Sequence, residues 1–395
     1  MTEWFYPTAF QSWGEEERAA IDRVLRSGRF TMGDEVRAFE EEFAAFHGMK
    51  HAVMVNSGSS ANLLMIAALF NKAENPLRRG DVAVVPALAW STTYAPLVQH
   101  GLDLILADCD ESWNADFISA GLRAAVNHAL VDHAPERHRP VRLVIACSIL
   151  GNPAALANHK RNADHDGAYF LEDNCESLGA GLHDGKGEVS TRTGTFGLMN
   201  AFSLFWSHQL SAIEGGVVTT NDDDLVTMLR MLRAHGWTRD VEHMPHFEDE
   251  YRFEVMGYNV RPLELHAAIA RAQLPKLEGF RKQREQNLNN FVTWATGLPI
   301  AVQRRTGIPS PFGIAFRVKD KATRSRLVTA LRAASIDCRL PTGGSFTRHP
   351  YGAPWRDQKT PNADLIHDTG LFLGNAPFDI SERILRAVKI MREVL

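Results

Sequence analysis

The chain has 395 residues, 45% of them apolar and 23% charged, an ordinary globular balance whose length suggests two domains at ~100–200 residues each. A formal net charge of −4 leaves no broad basic field to recruit nucleic acid or an anionic membrane surface. The opening MTEWFYPTAF lacks the basic and apolar regions of a secretory signal, and no apolar run reaches the ~18 residues of a membrane span, so a cytoplasmic protein is expected.

Residues 35–47, EVRAFEEEFAAFH, put Val36, Phe39, Phe43 and Phe46 on one helical face with acids opposite, and Asp34 stands where a cap belongs. Short β-type runs follow: HAVMV (51–55), DVAVVP (81–86), LDLILAD (102–108), VRLVIAC (141–147), GAYFLED (167–173) and GVVTT (216–220). Helical stretches separate most of them, which predicts an α/β domain with a mostly parallel sheet. LELHAAIARAQLPKLEG (263–279) reads as a helix interrupted near Pro275. A long helix near 276–296, GIAFRV (313–318), a helix near 321–335, IDCRL (336–340) and a closing helix at 381–394 then describe a smaller α+β domain. The expected division is a large domain over 1–275 and a small one over 276–395. There is no internal repeat. Cys109, Cys147, Cys175 and Cys338 form no CxxC motif, and all but Cys175 lie in strand-like apolar surroundings, as buried reduced thiols would.

In an open α/β sheet ligands bind beyond the carboxyl ends of the strands. Residues 56–60, 86–90, 151–152 and Asp173 all fall at such ends, and this topology gathers them along one crevice. NSGSSAN (56–62) joins a strand to an apolar helix, so it is either a phosphate cup of amides and hydroxyls or simply a capped turn. Glu172 and Asp173 end a buried strand; an ionised carboxylate there wants a cation such as a protonated ring nitrogen, unless it serves as a helix cap or in a salt bridge. Trp90 ends PALAW, where it either stacks on a planar ligand or fills core. His208 lies in AFSLFWSHQLSAIEGG (201–216), between hydroxyls and an acidic glycine turn. His235, His243 and His246 fall in an acidic, loop-like stretch and read as solvated surface rather than metal ligands.

Together these segments resemble the DegT/DnrJ/EryC1/StrS sugar aminotransferase family, fold-type I enzymes that use pyridoxal phosphate on nucleotide-linked 4-keto sugars. The resemblance runs through residues 27–62, GDVAVVPALAWSTT (80–93), LGNPAAL (150–156), LEDNCESLGA (171–180), residues 202–216, LRAHGWTRD (232–240) and GYNVRPLELHAAIARAQLPKL (257–277). It implies an aspartate-aminotransferase-like fold and a homodimer with shared active sites. It implies that Gly58, Ser59 and Ser203 hold the cofactor phosphate, that Asp173 pairs with the pyridine nitrogen and that Trp90 stacks on the ring. Asn259 would reach the phosphate of the neighbouring site.

Two positions depart from the aminotransferase pattern. His208 stands where the family usually has its Schiff-base lysine, and Glu176 stands where glutamine is common. Both departures resemble the family's sugar 3-dehydratase branch, which makes 3-deoxy sugars. Histidine cannot tether the cofactor covalently, but with an ordinary pKa near ~6.5 it can carry protons. The resemblance therefore implies pyridoxamine phosphate as working cofactor and loss of the C3 hydroxyl from a nucleotide-linked 4-keto-6-deoxyhexose, with GDP-4-keto-6-deoxymannose the expected substrate. Glutamate would reload the cofactor and ammonia would be released, in a pathway such as colitose or other O-antigen sugar synthesis. A second histidine-bearing branch, acting on CDP-linked sugars, carries an iron–sulfur cluster; residues 230–265 hold no cysteine here, so no cluster and no metal are expected. Glu176 is expected at the cofactor's 3-oxygen, and Ser207, Arg239 and Arg348 at the substrate. The Arg348 segment GGSFTRHPYG (343–352) reads equally as surface loop. The alternatives are a nucleotide-sugar aminotransferase, a dehydratase of CDP- or dTDP-sugars, and an inactive cofactor-binding scaffold.

Overall fold

The computed structural model describes residues 4–117, 140–183, 185, 188–239 and 247–395. Its centre is a seven-stranded sheet built from β1 (His51–Val55), β2 (Val82–Pro86), β3 (Asp103–Ala107), β4 (Val141–Cys147), β5 (Tyr169–Asp173), β8 (Met199–Ser203) and β9 (Gly216–Thr220). Between β5 and β8 a small ribbon pairs β6 (Gly181–His183) with β7 (Val189–Arg192). The large sheet has the order β1-β9-β8-β5-β4-β2-β3, and only β9 runs against its neighbours. This is the mostly parallel α/β sheet expected.

The β-branched runs account for the strands. Every residue of β2 and β9 is buried, as in a sheet covered on both faces. β8, MNAFS, has no such run, and its residues from Ala201 read equally as strand or turn. It is held by its partner: Asn200 faces Thr219 in register and donates to Thr219 Oγ1 at 3.1 Å. The helices Gly58–Phe70 and Ser91–Gln99 pack over the sheet, and the first is buried along most of its length because nearly all its side chains are apolar.

The helix Asp34–His47 forms where its periodicity predicts, but Asp34 does not cap it. Gly33 occupies the cap position, and the carboxylate of Glu264 accepts the amides of Gly33, Glu35 and Val36 at 2.8, 3.0 and 3.0 Å. Asp34 lies inside the first turn and pairs on the surface with Arg37 and Arg29.

Pro275 interrupts the next helical stretch as expected. Helix Glu264–Gln273 passes through a single 3₁₀ turn, Leu274–Lys276, into helix Leu277–Trp294. Beyond it β10 (Ala301–Val302), β11 (Gly313–Arg317), β12 (Cys338–Arg339) and β13 (Gly370–Gly374) form an antiparallel sheet in the order β10-β11-β13-β12. Helices Leu277–Trp294, Lys321–Ala333 and Ser381–Val394 enclose a second apolar core of Phe291, Phe316, Leu327, Leu331, Ile384 and Met391. Tyr6 joins this core from the other end of the chain and donates its hydroxyl to the Gly374 carbonyl at 2.7 Å. Cys109, Cys147 and Cys338 are buried free thiols, while Cys175 is half-buried. Among the described residues no helix is long and apolar enough to cross a membrane.

Candidate functional site

The ends of β1, β2, β5 and β8 deliver the predicted residues to one crevice. After β1, Ser57 caps helix Gly58–Phe70 and accepts the Ser60 amide at 3.1 Å. Gly58 is required by close approach: a Cβ there would lie 2.7 Å from both Ser203 Cβ and Cys175 Sγ. Gly216 is needed for the same reason, since its Cβ would meet the Ser57 carbonyl oxygen at 2.2 Å. Ser59 Oγ lies 2.7 Å from Thr92 Oγ1, in the first turn of helix Ser91–Gln99. Two helix N-termini and the hydroxyls of Ser59 and Thr92 therefore meet, an arrangement suited to a phosphate.

Strand alternation separates the two carboxylates of β5. Glu172 is fully buried and accepts the amides of Gly194, Phe196 and Gly197 at 2.8, 2.7 and 2.9 Å, so it is spent on shaping that turn. Asp173, 6% exposed, accepts Asn62 Nδ2 at 2.8 Å, Thr93 Oγ1 at 2.7 Å and the Cys175 amide at 3.1 Å. All three donors are neutral, and among the described residues no cationic side chain pairs with it. A buried carboxylate in this state suits a ligand that brings its own positive charge, as a protonated pyridine ring does.

Glu176 follows in the same loop. Its Oε2 accepts the Leu150 amide at 2.8 Å, and burial, helped by nearby Asp173, pushes its carboxyl up to about 8. It is therefore largely protonated at neutral pH. Leu150 holds the left-handed conformation, with φ of 52°, to aim that amide.

His208 lies in the loop that closes β8 onto β9. Its amide donates to the Phe205 carbonyl at 2.9 Å. Its ring packs on Phe205 and Phe312, with centroids 5.7 and 5.0 Å away, and its Nδ1 is buried without a partner. Burial, with the Arg284 guanidinium as the second cause, draws the imidazole down to about 4. That is well below the ordinary value on which the sequence reading relied. Gln209 spans the crevice wall, its Nε2 donating to the carbonyls of Glu176 and of Ser310, the latter at 2.8 Å.

The other expected residues lie on several separate segments. Trp90 is 56% exposed at the start of helix Ser91–Gln99 and lies 3.8 Å from where a Gly343 Cβ would stand. Ser207 is half-buried beside His208. Segment 343–349 is fastened to the end of β2 by the Phe346 amide on the Ala87 carbonyl at 2.9 Å, and there Arg348 is engaged by Asp368 at 2.9 Å. Arg239 is exposed, its guanidinium 4.9 Å over the Trp237 ring. Asn259 is exposed and accepts Arg261 Nε at 3.1 Å; the neighbouring Val260 carbonyl accepts the Asn56 amide at 3.0 Å, which ties this segment to the end of β1. Tyr251, Phe253 and Met256 leave an exposed apolar surface beside it. His235 carries a φ of 65° and donates its amide to the Tyr258 carbonyl, while His243 and His246 lie outside the described residues. Among the described residues no three His, Cys, Asp or Glu side chains gather as metal ligands would.

Asn62, Thr93 and Arg284 escaped the sequence reading. Asn62 had a signal, as the polar residue inside an otherwise apolar run. Thr93 and Arg284 had none, since each sits among similar residues.

The crevice, with its phosphate-suited helix ends and its unpaired carboxylate, is that of an α/β enzyme of the aminotransferase type. The chain belongs to the DegT/DnrJ/EryC1/StrS aminotransferase family, which it matches over residues 11–390. It is 38% identical to the GDP-4-keto-6-deoxy-D-mannose 3-dehydratase of Yersinia pseudotuberculosis over 405 residues, covering 98% of each chain. Among solved structures it resembles a mutant GDP-4-keto-6-deoxymannose-3-dehydratase with bound GDP-perosamine, at a TM-score of 0.87 and 36% identity over 98% of this chain and 100% of that one. It equally resembles a structure of that enzyme holding a trapped PLP-glutamate geminal diamine, at a TM-score of 0.87 and 35% identity, with the same coverage.

Proposed function

We propose that this chain is a 3-dehydratase that uses pyridoxamine phosphate to remove the C3 hydroxyl of a nucleotide-linked 4-keto-6-deoxyhexose, with GDP-4-keto-6-deoxymannose as substrate and glutamate as amine donor. The observation that carries the reading is His208 at the family's lysine position, in a crevice that otherwise keeps its cofactor contacts. The relatives' bound GDP-sugar and glutamate adduct support the substrate and the donor.

The chemistry supplied by the cofactor is an amine for the sugar's 4-keto group and a pyridine ring that accepts electrons. Gly58, Ser59 and Ser203 would hold its phosphate, Asp173 its ring nitrogen, Trp90 its face and Glu176, as a neutral donor, its 3-oxygen. Asn259 would complete the phosphate site of a second copy in a homodimer, which the adjacent apolar surface supports. Ser207, Arg239 and Arg348 are assigned to the substrate side; Arg348 must exchange its Asp368 contact to serve there.

His208 performs the proton work. Its neutral ring takes a proton at an imidazole nitrogen and returns it to the departing C3 oxygen, which then leaves as water. The burial that makes the ring a weak base makes its imidazolium a strong acid, which favours the second transfer. Lacking an amine, it leaves the aldehyde form of the cofactor free to be reloaded. The balance is one keto sugar and one glutamate in, and one 3-deoxy keto sugar, one 2-oxoglutarate and one ammonia out. The C–O bond at C3 is reduced while glutamate is oxidised. The reading places the protein in the cytoplasm, with residues 1–275 binding the cofactor and 276–395 closing over it.

Incubation of the purified protein with cofactor, glutamate and GDP-, CDP- or dTDP-4-keto-6-deoxyhexoses tests the reading. Glutamate alone should convert the aldehyde absorbance to that of the amine. Only the GDP sugar should then release ammonia. An aminated sugar would establish a transaminase instead, and turnover of another nucleotide alone would overturn the GDP assignment.

A further inference from the structure

We propose that Arg284 is the positioning residue for His208: from helix Leu277–Trp294 its guanidinium grips the main chain at the histidine and fixes a positive charge behind the imidazole. The inference rests on the reading of His208 as proton carrier. Arg284 Nη1 donates to the Gln209 carbonyl at 2.9 Å and Nη2 to the His208 carbonyl at 3.3 Å. The residue is 3% exposed, its Nε has no partner, and among the described residues no carboxylate pairs with it. Burial lowers its pKa to about 9, so it remains a cation at neutral pH. A buried cation without a counter-ion costs several kcal/mol. Two carbonyls alone do not demand it, because Gln209 holds two carbonyls with a neutral amide in the same wall.

The guanidinium is placed from outside the loop it grips. The Arg284 carbonyl accepts Asn375 Nδ2 at 2.9 Å, and one turn on Asn287 Nδ2 donates to Asn375 Oδ1 and to the carbonyls of Ala376 and Phe378 at 3.1, 3.1 and 2.9 Å. The C-terminal sheet thus sets the position of the charge. The side chain of Gln209, whose carbonyl Arg284 holds, ties the same residue to the Glu176 and Ser310 carbonyls.

The remaining neighbours do not duplicate this charge. β5 ends on Asp173, and the loop after it brings Glu176 and Cys175, whose main chain hydrogen-bonds the imidazole and opposes the downward shift. Glu176 is bonded to the Leu150 amide and largely neutral, and burial raises the Cys175 thiol. Phe312, from the loop before β11, and Phe205 carry no charge. Arg284 therefore biases the ring toward its neutral, proton-accepting form and sharpens the acidity of its cation, while holding its direction.

The test is the pH dependence of kcat/KM in the holoenzyme, for wild type, Arg284→Met and Arg284→Lys. In Arg284→Met the acidic limb should move up by about one pH unit or more, toward the value of free histidine. kcat should fall about tenfold or more while KM changes little. Arg284→Lys should return the limb toward its wild-type position with kcat still reduced, because the charge is restored but not the two-pronged grip. An NMR titration of the His208 ring, assigned by its loss in His208→Asn, should show the same shifts without turnover. If Arg284→Met does not fold, Arg284→Gln carries the same expectation. An unmoved ring titration in the folded, cofactor-loaded variant overturns the proposal. Wild-type inactivity on every sugar, with the ring titration still shifted by the variant, would sink the proposed function and leave Arg284's role standing.

Discussion

At Asp173 a single side chain collects Asn62, Thr93 and a main-chain amide, and still has charge to spare. Those three donors fix the orientation of the carboxyl group at the strand end. Replacing it with asparagine keeps the shape but removes the charge. Asp173→Asn should weaken cofactor binding by about ten- to a hundredfold, the scale of a charge-assisted hydrogen bond. Absorbance titration with pyridoxal phosphate measures it; an unchanged affinity would remove Asp173 from the cofactor site. The presence of a carboxylate at a strand end was legible in the sequence. The residue pattern alone did not separate Glu172 from Asp173; the family resemblance chose Asp173, and strand alternation now turns Glu172 to the Gly194–Gly197 turn and leaves Asp173 on the crevice side. The identity of His208 was also legible, but not its lowered pKa, which comes first from burial, to which the packed ring of Phe312 belongs, and then from Arg284, both supplied from beyond residue 275.

Among the elements, the helix Asp34–His47 shows where local rules fail. Its apolar face was readable from the spacing of phenylalanines, but its cap comes from Glu264, some two hundred residues further on. Glu264→Ala strips an acceptor from three amides, two of them in buried contacts. It should destabilise the protein by about 2–4 kcal/mol, whereas Asp34→Ala, on the surface, should change stability by less than about 1 kcal/mol. Urea unfolding of the two variants decides between these caps; a greater loss from Asp34→Ala would reverse the assignment. The strands divide in the same way. Runs of β-branched residues announced β1, β4 and β9 to within their actual ends. β8, which carries Asn and Ser, was legible only as strand or turn, and β13, bounded by glycines, was not announced; both exist through their neighbours' ladders.

Over the whole molecule, closure is what local pattern could not convey. The alternation of strands and helices was enough for an α/β sheet with its crevice at the strand ends, but the return of the C-terminal region onto that crevice was not. Helix Leu277–Trp294 carries Arg284 to the back of the catalytic loop, the loop before β11 carries Phe312 against the imidazole, and segment 343–349 docks at the end of β2. The crevice is thus assembled from segments on both sides of residue 275, and the proton chemistry proposed for His208 would depend on how they are joined. All of this converges on the role proposed for one imidazole, which would move protons without tethering the cofactor. The most direct measurement is the mass of the sugar formed from GDP-4-keto-6-deoxymannose, glutamate and cofactor by wild type and by His208→Asn. Wild type should give a product poorer by one oxygen, and His208→Asn should return unchanged sugar although it still binds cofactor. Deoxygenated product from His208→Asn, or an aminated sugar from wild type, would contradict the proposed role.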